Sequence, residues 1–438
     1  MIVLTAVGVL GAFTSGPFVG VAVYYLFAVL RPQNIWQWAL PLVGWSEIVA
    51  WATIAATLWY VLNSPADSAG TSAERRFSGT HKAFLAFGAW MAVAYTAALD
   101  RDAAWPFFLD YLKIFLMFGI AAVVIRQARQ IWLLYLLTTG ALVYIAYELN
   151  FVYFAEGRVD IYRNGYGGLD NNGAGLMMAM GVPLAIYAWE GSTKKWRWLF
   201  LAGAPLLLHA MLMSYSRGAM VSLIIAAPLF ILRSRRKRQF TLVFLAILSM
   251  VPALAGREIR ARFFTVEQYE TDSSANQRFD SWKAAIAIAN DYPLTGVGLR
   301  NSALITYRYG ADSQGRVIHS QYLATLADEG YVGLALYLAV IVGTWITMRR
   351  TRRMLKQQPD DPTARMAHSM LSGIECSLVV FWIGTSFLAI EMFELPYVLM
   401  LLAAQTSLLL RLRTADAAAA TRPVVTRAAF PIAQPRAS

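Results

Sequence analysis

Residues 198–232 read WLFLAGAPLLLHAMLMSYSRGAMVSLIIAAPLFIL. Two apolar runs, 198–213 and 218–232, flank the turn Ser214-Tyr215-Ser216-Arg217-Gly218, and Arg217 is the only formal charge in the stretch. Runs of this length and composition satisfy their own backbone as helices in lipid. An arginine between two such helices must face water, an anion or a carboxylate. It can also simply mark the interface by snorkelling.

The same pattern recurs outward in both directions. Apolar stretches lie near 44–62, 82–98, 106–125, 131–150, 173–189, 240–255, 330–348, 369–390 and 396–411. Residues 1–30 form two apolar pieces around Ser15-Gly16-Pro17, which we read as one broken crossing. The expectation is an all-α, polytopic integral membrane protein with about 12 transmembrane helices. Met1 to Leu10 has neither a basic start nor a small-residue cleavage site, so a removable signal peptide is not expected.

Composition supports the membrane reading. Of 438 residues, 58% are hydrophobic and only 15% charged, against about a quarter charged in soluble chains. This excludes a soluble enzyme on a single anchor. Cys376 is the only cysteine, which excludes a disulfide scaffold. With four histidines beside it, a structural zinc site is not expected.

The net charge of +12 is a topology signal rather than a nucleic-acid footprint. Arg233, Arg235, Arg236, Lys237 and Arg238 crowd one short loop, and Arg349, Arg350, Arg352, Arg353 and Lys356 another. Lys194, Lys195 and Arg197, then Arg126 and Arg129, then Arg411 and Arg413, with the 64–81 loop carrying Arg75 and Arg76, fall on the same side when spans are counted. That side is expected to be cytoplasmic. The implied domains are N-terminal transmembrane helices over 1–255, a periplasmic loop over 256–319, C-terminal transmembrane helices over 320–413, and a disordered cytoplasmic tail over 414–438.

The long loop concentrates the chemistry. From Ala275 to Asn290 the pattern is an amphipathic helix opened by Arg278, with Phe279, Trp282, Ile286 and Ala289 expected on one face. Asp291-Tyr292-Pro293-Leu294-Thr295-Gly296-Val297-Gly298 then forces a tight turn. An aromatic piece follows from Ile305 to Tyr309, and Ile318-His319-Ser320-Gln321 opens a helix running through Glu329-Gly330-Tyr331-Val332-Gly333 into the next span. His319 therefore sits at a helix start on the outer rim, whereas His209 lies inside an apolar run. Phe263, Phe264, Tyr269, Tyr307 and Tyr309 suit sugar stacking or the interface. Asp100-Arg101-Asp102 is a DxD-like piece, read as a polar loop rather than a metal site. Lys113, inside a span, either lines a lipid-phosphate groove or pairs with Asp110 three residues earlier. Asn171 and Asn172 either bind sugar hydroxyls or cap the following helix.

The ordered set of motifs resembles the O-antigen ligase family, which includes O-antigen polymerases and O-linking oligosaccharyltransferases. The resemblance rests on Asp170-Asn171-Asn172-Gly173, Ser214 to Gly218, Arg278-Phe-Asp-Ser-Trp282 with Tyr292 to Gly298, and His319-Ser-Gln-Tyr322 with Glu329 to Gly333. The stretch from Phe264 to Asp272 and the Asp170-Asn171-Asn172 site are also similar to the exosortase-associated O-glycosylation ligases, a subgroup of unproven acceptor.

The resemblance implies transfer of a glycan from undecaprenyl pyrophosphate to lipid A–core oligosaccharide on the periplasmic face of a bacterial inner membrane, in lipopolysaccharide biosynthesis. It implies inverting chemistry with no metal and no cofactor. By motif match, Arg217 and Arg278 bind the donor pyrophosphate, Arg300 is a looser third, and His319 is the essential histidine. His319 would act as general base or orient the acceptor. Asn171, Asn172, Tyr215 and Gln321 are candidate sugar or acceptor contacts. The partners implied are the lipid-linked donor, the lipid A–core acceptor and membrane lipid, with no nucleic acid. Rival readings are a protein oligosaccharyltransferase, a repeat-unit polymerase, or a lipid-linked sugar flippase.

Overall fold

The computed structural model describes residues 1–36, 43–63, 77–234, 236–239, 241–242, 245, 273–311, 317–357, 361–390 and 392–420. The 240–255 span (save 241, 242 and 245), Arg75 and Arg76, Arg235, Phe263, Phe264 and Tyr269, and the tail from 421 lie outside the described residues. Among the described residues the chain is helical throughout, with one isolated bridge between Tyr166 and Leu169 in a turn.

The helices are α1 (Ile2–Thr14), α2 (Pro17–Leu30), the short α3 (Pro32–Ile35), α4 (Trp45–Asn63), α5 (Gly79–Thr96), α6 (Arg101–Val124) and α7 (Ala128–Glu156). They continue as α8 (Asp160–Asn164), α9 (Asn171–Gly191), α10 (Arg197–Met213) and α11 (Arg217–Arg233). Then follow α12 (Ser273–Asp291), α13 (Ser302–Ile305), a 3-10 turn (Thr306–Tyr309), α14 (Gln321–Lys356), α15 (Pro362–Gly384) and α16 (Leu395–Ala420).

Small residues decide the interior. α9 is buried along nearly its whole length and packs along α10 and α15. A side chain at Gly175 would meet Ser214 and Ser216, one at Gly181 would meet Leu207, and one at Gly384 of α15 would meet Leu176. In lipid, helix association depends on such close van der Waals approach, because burial of apolar surface gives no drive there. Around this centre, α2 packs against α1, α4 and α7, while α5 lies along α14.

Among the described residues, seven helices are long and apolar enough to cross a membrane, at Pro17–Ile35, Trp45–Asn63, Arg101–Val124, Ala128–Glu156, Gln321–Lys356, Pro362–Gly384 and Leu395–Arg413. That is fewer than the expected dozen. α1 and α10 are apolar but shorter than a full span. The opening also differs from the single broken crossing expected: α1 and α2 turn back on each other as a hairpin. Gly8 and Gly11 sit against Val23 and Val19, so two short helices lie side by side rather than end to end. Gly16, at φ +111°, and Pro17 at the first turn of α2 make the reversal.

The arginine-rich ends do gather. Arg197 and Arg236 both lie over Trp189, with guanidinium carbons 5.9 and 4.7 Å from the ring centroid. Arg233 at the end of α11 and Arg352 near the end of α14 share one buried carboxylate, Glu375 of α15, at 2.6 and 2.5 Å. Glu375 is 1% exposed, and Arg352 is also within reach of Ser372 and His368. Removing one member of such a buried network leaves the remaining charges uncompensated, at a cost of about 3–5 kcal/mol. Glu375→Ala is therefore expected to lower the thermal unfolding midpoint in detergent sharply, with Glu375→Asp falling between; a midpoint equal to wild type would show that the triad contributes nothing.

Candidate functional site

The motif segments converge on a stretch the sequence did not single out. The 369–390 run was expected to be one apolar span, but α15 ends at Gly384 and residues 385–390 leave the helix. Their backbone groups need partners, and Gln321 supplies them from the first position of α14. Its N–H donates to Thr385 O at 2.9 Å and Leu388 O at 3.2 Å, while its side-chain carbonyl accepts from Ile390 N at 3.1 Å. Gln321 is 2% exposed. Its place is thus structural as well as adjacent to His319, two residues earlier.

The same stretch touches the other motifs. Phe387 lies 3.6 Å from where a Cβ on Gly218 would stand, and Ile390 lies against Gly173. Between these two, Asn171 donates its side-chain amide to Ser214 O at 3.0 Å, tying the start of α9 to the turn before α11. The cap of α9 is Asp170, whose carboxylate accepts from Gly173 N at 2.7 Å. The capping alternative for Asn171 and Asn172 therefore gives way to a tie at Asn171. Asn172 donates to Asp170 and to Asn171, both at 3.3 Å. Tyr215 adopts φ +53° and meets Tyr162 of α8 edge-on at 4.9 Å. Arg217 then opens α11, capped by Ser216, whose hydroxyl accepts from Ala219 N at 3.3 Å, and its side chain is half-buried.

α12 approaches from the other side. Trp282 donates its indole N–H to His319 O at 3.3 Å. Arg278 stands one helical turn before Trp282, half-buried, so it lies on the face that reaches His319. The expected apolar face of α12 is partly wrong. Phe279 and Ile286 are 49% and 45% exposed, whereas Ala284, Ala285, Ile288 and Ala289 are fully buried. Three alanines and Ile288 make the buried side, while Phe279 and Ile286 point outward. The buried side forms its own cluster with Val297, Ile305, Ile318, Ala324 and Ala327.

Two glycine motifs turn out to be one lock. α14 breaks at Gly330, with φ +73° and ψ −176°, and the Pro293–Gly298 turn fills the break. Tyr331 N donates to Pro293 O at 2.9 Å, Val297 N to Ala327 O at 3.1 Å and Gly298 N to Asp328 O at 2.8 Å. A side chain on Gly330 would run into the Leu294 carbonyl, and one on Gly296 into the Asp328–Glu329 peptide. The segment from Tyr292 to Gly298 and that from Glu329 to Gly333 thus orient α12 against α14.

Arg300 belongs to a different wall. It adopts φ +60° and lies over Phe107 of α6 at 5.5 Å, next to Asn301, which exchanges hydrogen bonds with the Asp100 backbone at 2.7 and 3.1 Å. Ser302 N donates to Asp328 at 2.8 Å, seven residues along α14 from Gln321, or ~10 Å at helical rise. Asp100 caps α6 through Ala103 N at 2.9 Å, so the DxD-like piece serves a helix start. Lys113 pairs with Asp110 at 3.1 Å, as one alternative held, and also with Glu47 at 3.3 Å.

Arg31 was missed by the sequence reading. In a left-handed conformation after α2, it donates to Gly167 O and to Met392 O, so it clamps the 166–169 turn before Asp170 to the chain entering α16. Its signal was a lone charge after fourteen apolar residues, unlike the clustered basic residues elsewhere.

These features define an all-helical membrane protein whose recognised motifs meet beside a non-helical break at one end of the bundle. Residues 202–338 match the protein-family model described as O-antigen ligase, a span containing Arg217, Arg278, Arg300 and His319. The matched segment is similar to the O-antigen ligase family, whose members are glycosyltransferase-like membrane enzymes, ligases and polymerases. No curated protein matches the chain.

Leaving the buried Ile390 N–H without its acceptor costs about 1–3 kcal/mol. Gln321→Ala should therefore lower the thermal midpoint and speed hydrogen exchange at 385–390 more than elsewhere. Uniform exchange would dissolve the role assigned to Gln321.

Proposed function

We propose that the protein transfers a glycan from undecaprenyl pyrophosphate to lipid A–core oligosaccharide at the periplasmic face of a bacterial inner membrane. The observation that carries this reading is the meeting of the Arg217, Arg278 and His319 segments around residues 385–390, through Phe387 at Gly218, Gln321 at Thr385, and Trp282 at His319. The family match over 202–338 supports the reaction class.

The chemistry follows from the groups available. Cleaving a glycosyl pyrophosphate builds negative charge on the leaving diphosphate oxygen. Guanidinium groups at Arg217 and Arg278 hold that charge with paired N–H donors and cannot lose their protons. Arg300 serves the donor from the α6 wall, beside Phe107. His319 removes the proton from the attacking sugar hydroxyl as the bond to the anomeric carbon forms on the face opposite the leaving group, which inverts that carbon. Asn171, Asn172 and Tyr215 lie beside Arg217 and offer amide and phenol groups to sugar hydroxyls. The opposite end, with its clustered arginines, faces the cytoplasm by the excess of basic residues.

A flippase would bind the same diphosphate without breaking a bond, and it would leave polar groups along a path through the midplane. Here five buried threonines are closed locally. Thr53, Thr138, Thr344, Thr351 and Thr406 each donate to the carbonyl four residues back on their own helix.

The test combines purified protein, lipid-linked glycan and lipid A–core with EDTA present. Wild type should extend lipid A, His319→Ala should lose about 10²–10⁴-fold in turnover while still binding donor, and Arg217→Lys should not restore an Arg217→Ala loss. Product on added protein instead of lipid A would move the acceptor to hydroxyls of polypeptide, and elongated donor alone would make it a polymerase. Donor translocation undiminished by His319→Ala would overturn the enzyme reading.

A further inference from the structure

At the end of the bundle away from the motif segments lies a cavity of about 630 Å³ whose lining includes Arg126, Arg129, Trp132, Thr363, Leu409 and Arg413. It is built where four candidate spans terminate: α6 ends at Val124, α7 begins at Ala128, α15 begins at Pro362, and the apolar part of α16 ends at Arg413. The α6–α7 turn is held stiffly. Gln130 accepts from Arg126 N at 2.8 Å and from Gln127 N at 3.0 Å, and the Arg126 Nε donates to Val123 O at 3.3 Å. Among the described residues no carboxylate lines the cavity, and none pairs with Arg126, Arg129 or Arg413.

The electrostatics are one-sided. Three guanidinium groups face one space, and two helix N-termini, those of α7 and α15, open beside it with their positive dipole ends. Below the cavity a cleft continues between α7, α15 and α16, lined by Ile131, Ala367, Met370, Thr406 and Leu410. The acidic group in that cleft, Asp361, is engaged as the cap of α15, accepting from Thr363 N at 2.9 Å. A basic chamber at the ends of membrane-length helices matches the headgroup chemistry of an acidic lipid: phosphates in the chamber, acyl chains along the lipid-facing sides of those helices.

We infer that this cavity is a binding site for an acidic phospholipid of the adjoining leaflet whose headgroup carries two phosphates. Three cations without a carboxylate call for more than one negative charge, and 630 Å³ is the size of a pocket for a whole small molecule rather than for a single phosphate group. Trp132, half-buried and stacked on Tyr135 at 5.4 Å, closes the chamber floor where headgroup and acyl region meet. The site is separate from the motif segments, so its occupancy bears on how the α7, α15 and α16 ends are held together and not on which glycan is moved.

The experiment uses the full chain in detergent and native mass spectrometry with soluble inorganic diphosphate and three lipid probes: cardiolipin, which has two phosphodiesters, phosphatidylglycerol, which has one, and zwitterionic phosphatidylcholine. Wild type should retain one cardiolipin at least tenfold more tightly than the other two lipids. The variant Arg126→Gln, Arg129→Gln, Arg413→Gln should lose at least about tenfold in that affinity. The exposed control Arg349→Gln, Arg350→Gln, Arg353→Gln removes equal charge at the same end and should keep cardiolipin within threefold. A second measurement, the rise in thermal midpoint on adding cardiolipin, should vanish in the cavity variant alone, while its midpoint without lipid stays near wild type. Equal retention by the cavity variant overturns the site. Equal affinity for phosphatidylglycerol overturns the two-phosphate assignment, and equal affinity for soluble inorganic diphosphate overturns the lipid.

Discussion

A peptide group that leaves a helix inside a bundle of apolar helices has no water to turn to, and residues 385–390 do this at the end of α15. Gln321 resolves the problem with groups from one residue: its own N–H for two carbonyls and its side-chain carbonyl for one N–H. Irregular backbone at such depth is tolerated only where protein satisfies it or where it lines a cavity. The position of α14 follows from those bonds, and with it the position of His319. Because Phe387 and Ile390 belong to the same stretch, α11 and α9 are referred to it as well.

A second constraint sets the approach of α12. The break at Gly330 removes the helical carbonyl pattern from Ala327 to Asp328, and the Pro293–Gly298 turn supplies N–H donors in its place. Both segments meet through backbone groups rather than side chains. Their glycines allow backbone to touch backbone, which a Cβ would prevent. The effect is to pin α12 along α14 so that Trp282 reaches the His319 carbonyl and Arg278 is held a turn away. Motif segments of the same family resemblance thus divide into those that lock geometry and those that carry charge.

Helix positions were legible because an apolar run bounded by basic clusters has few alternatives: α4, α7, α9, α10 and α11 begin and end within a few residues of the runs read from sequence, save the last turn and a half of α7. The hairpin of α1 and α2 was not, since two short apolar pieces read alike whether stacked end to end or laid side by side; only the meeting of Gly8 and Gly11 with Val23 and Val19 distinguishes them. The 385–390 break was hidden for a similar reason. Its residues are as apolar as a helix, and what ends the helix is a set of long-range bonds to Gln321. The face of α12 was misjudged because Phe279 and Ile286 were assigned to the interior, while the side packed on α14 carries Ala284, Ala285, Ile288 and Ala289. Gly330 and Gly296 were visible as punctuation, but that each exists for the other is a property of tertiary contact.

Charge is distributed in two different ways at the two ends, and the difference has a physical consequence. At the end bearing the motifs, each cation is placed singly: Arg31 on backbone carbonyls, Arg217 at a helix start, Arg300 over an aromatic ring. Single cations on separate elements can surround an anion from several directions, and they need not repel one another when it is absent. At the other end the cations are grouped. One group is neutralised internally by Glu375, and another stands around a cavity with no carboxylate among the described residues of its lining. Like charges held that closely cost free energy unless an anion or salt screens them. The first arrangement suits an anion that must arrive, react and leave. The second suits one that stays.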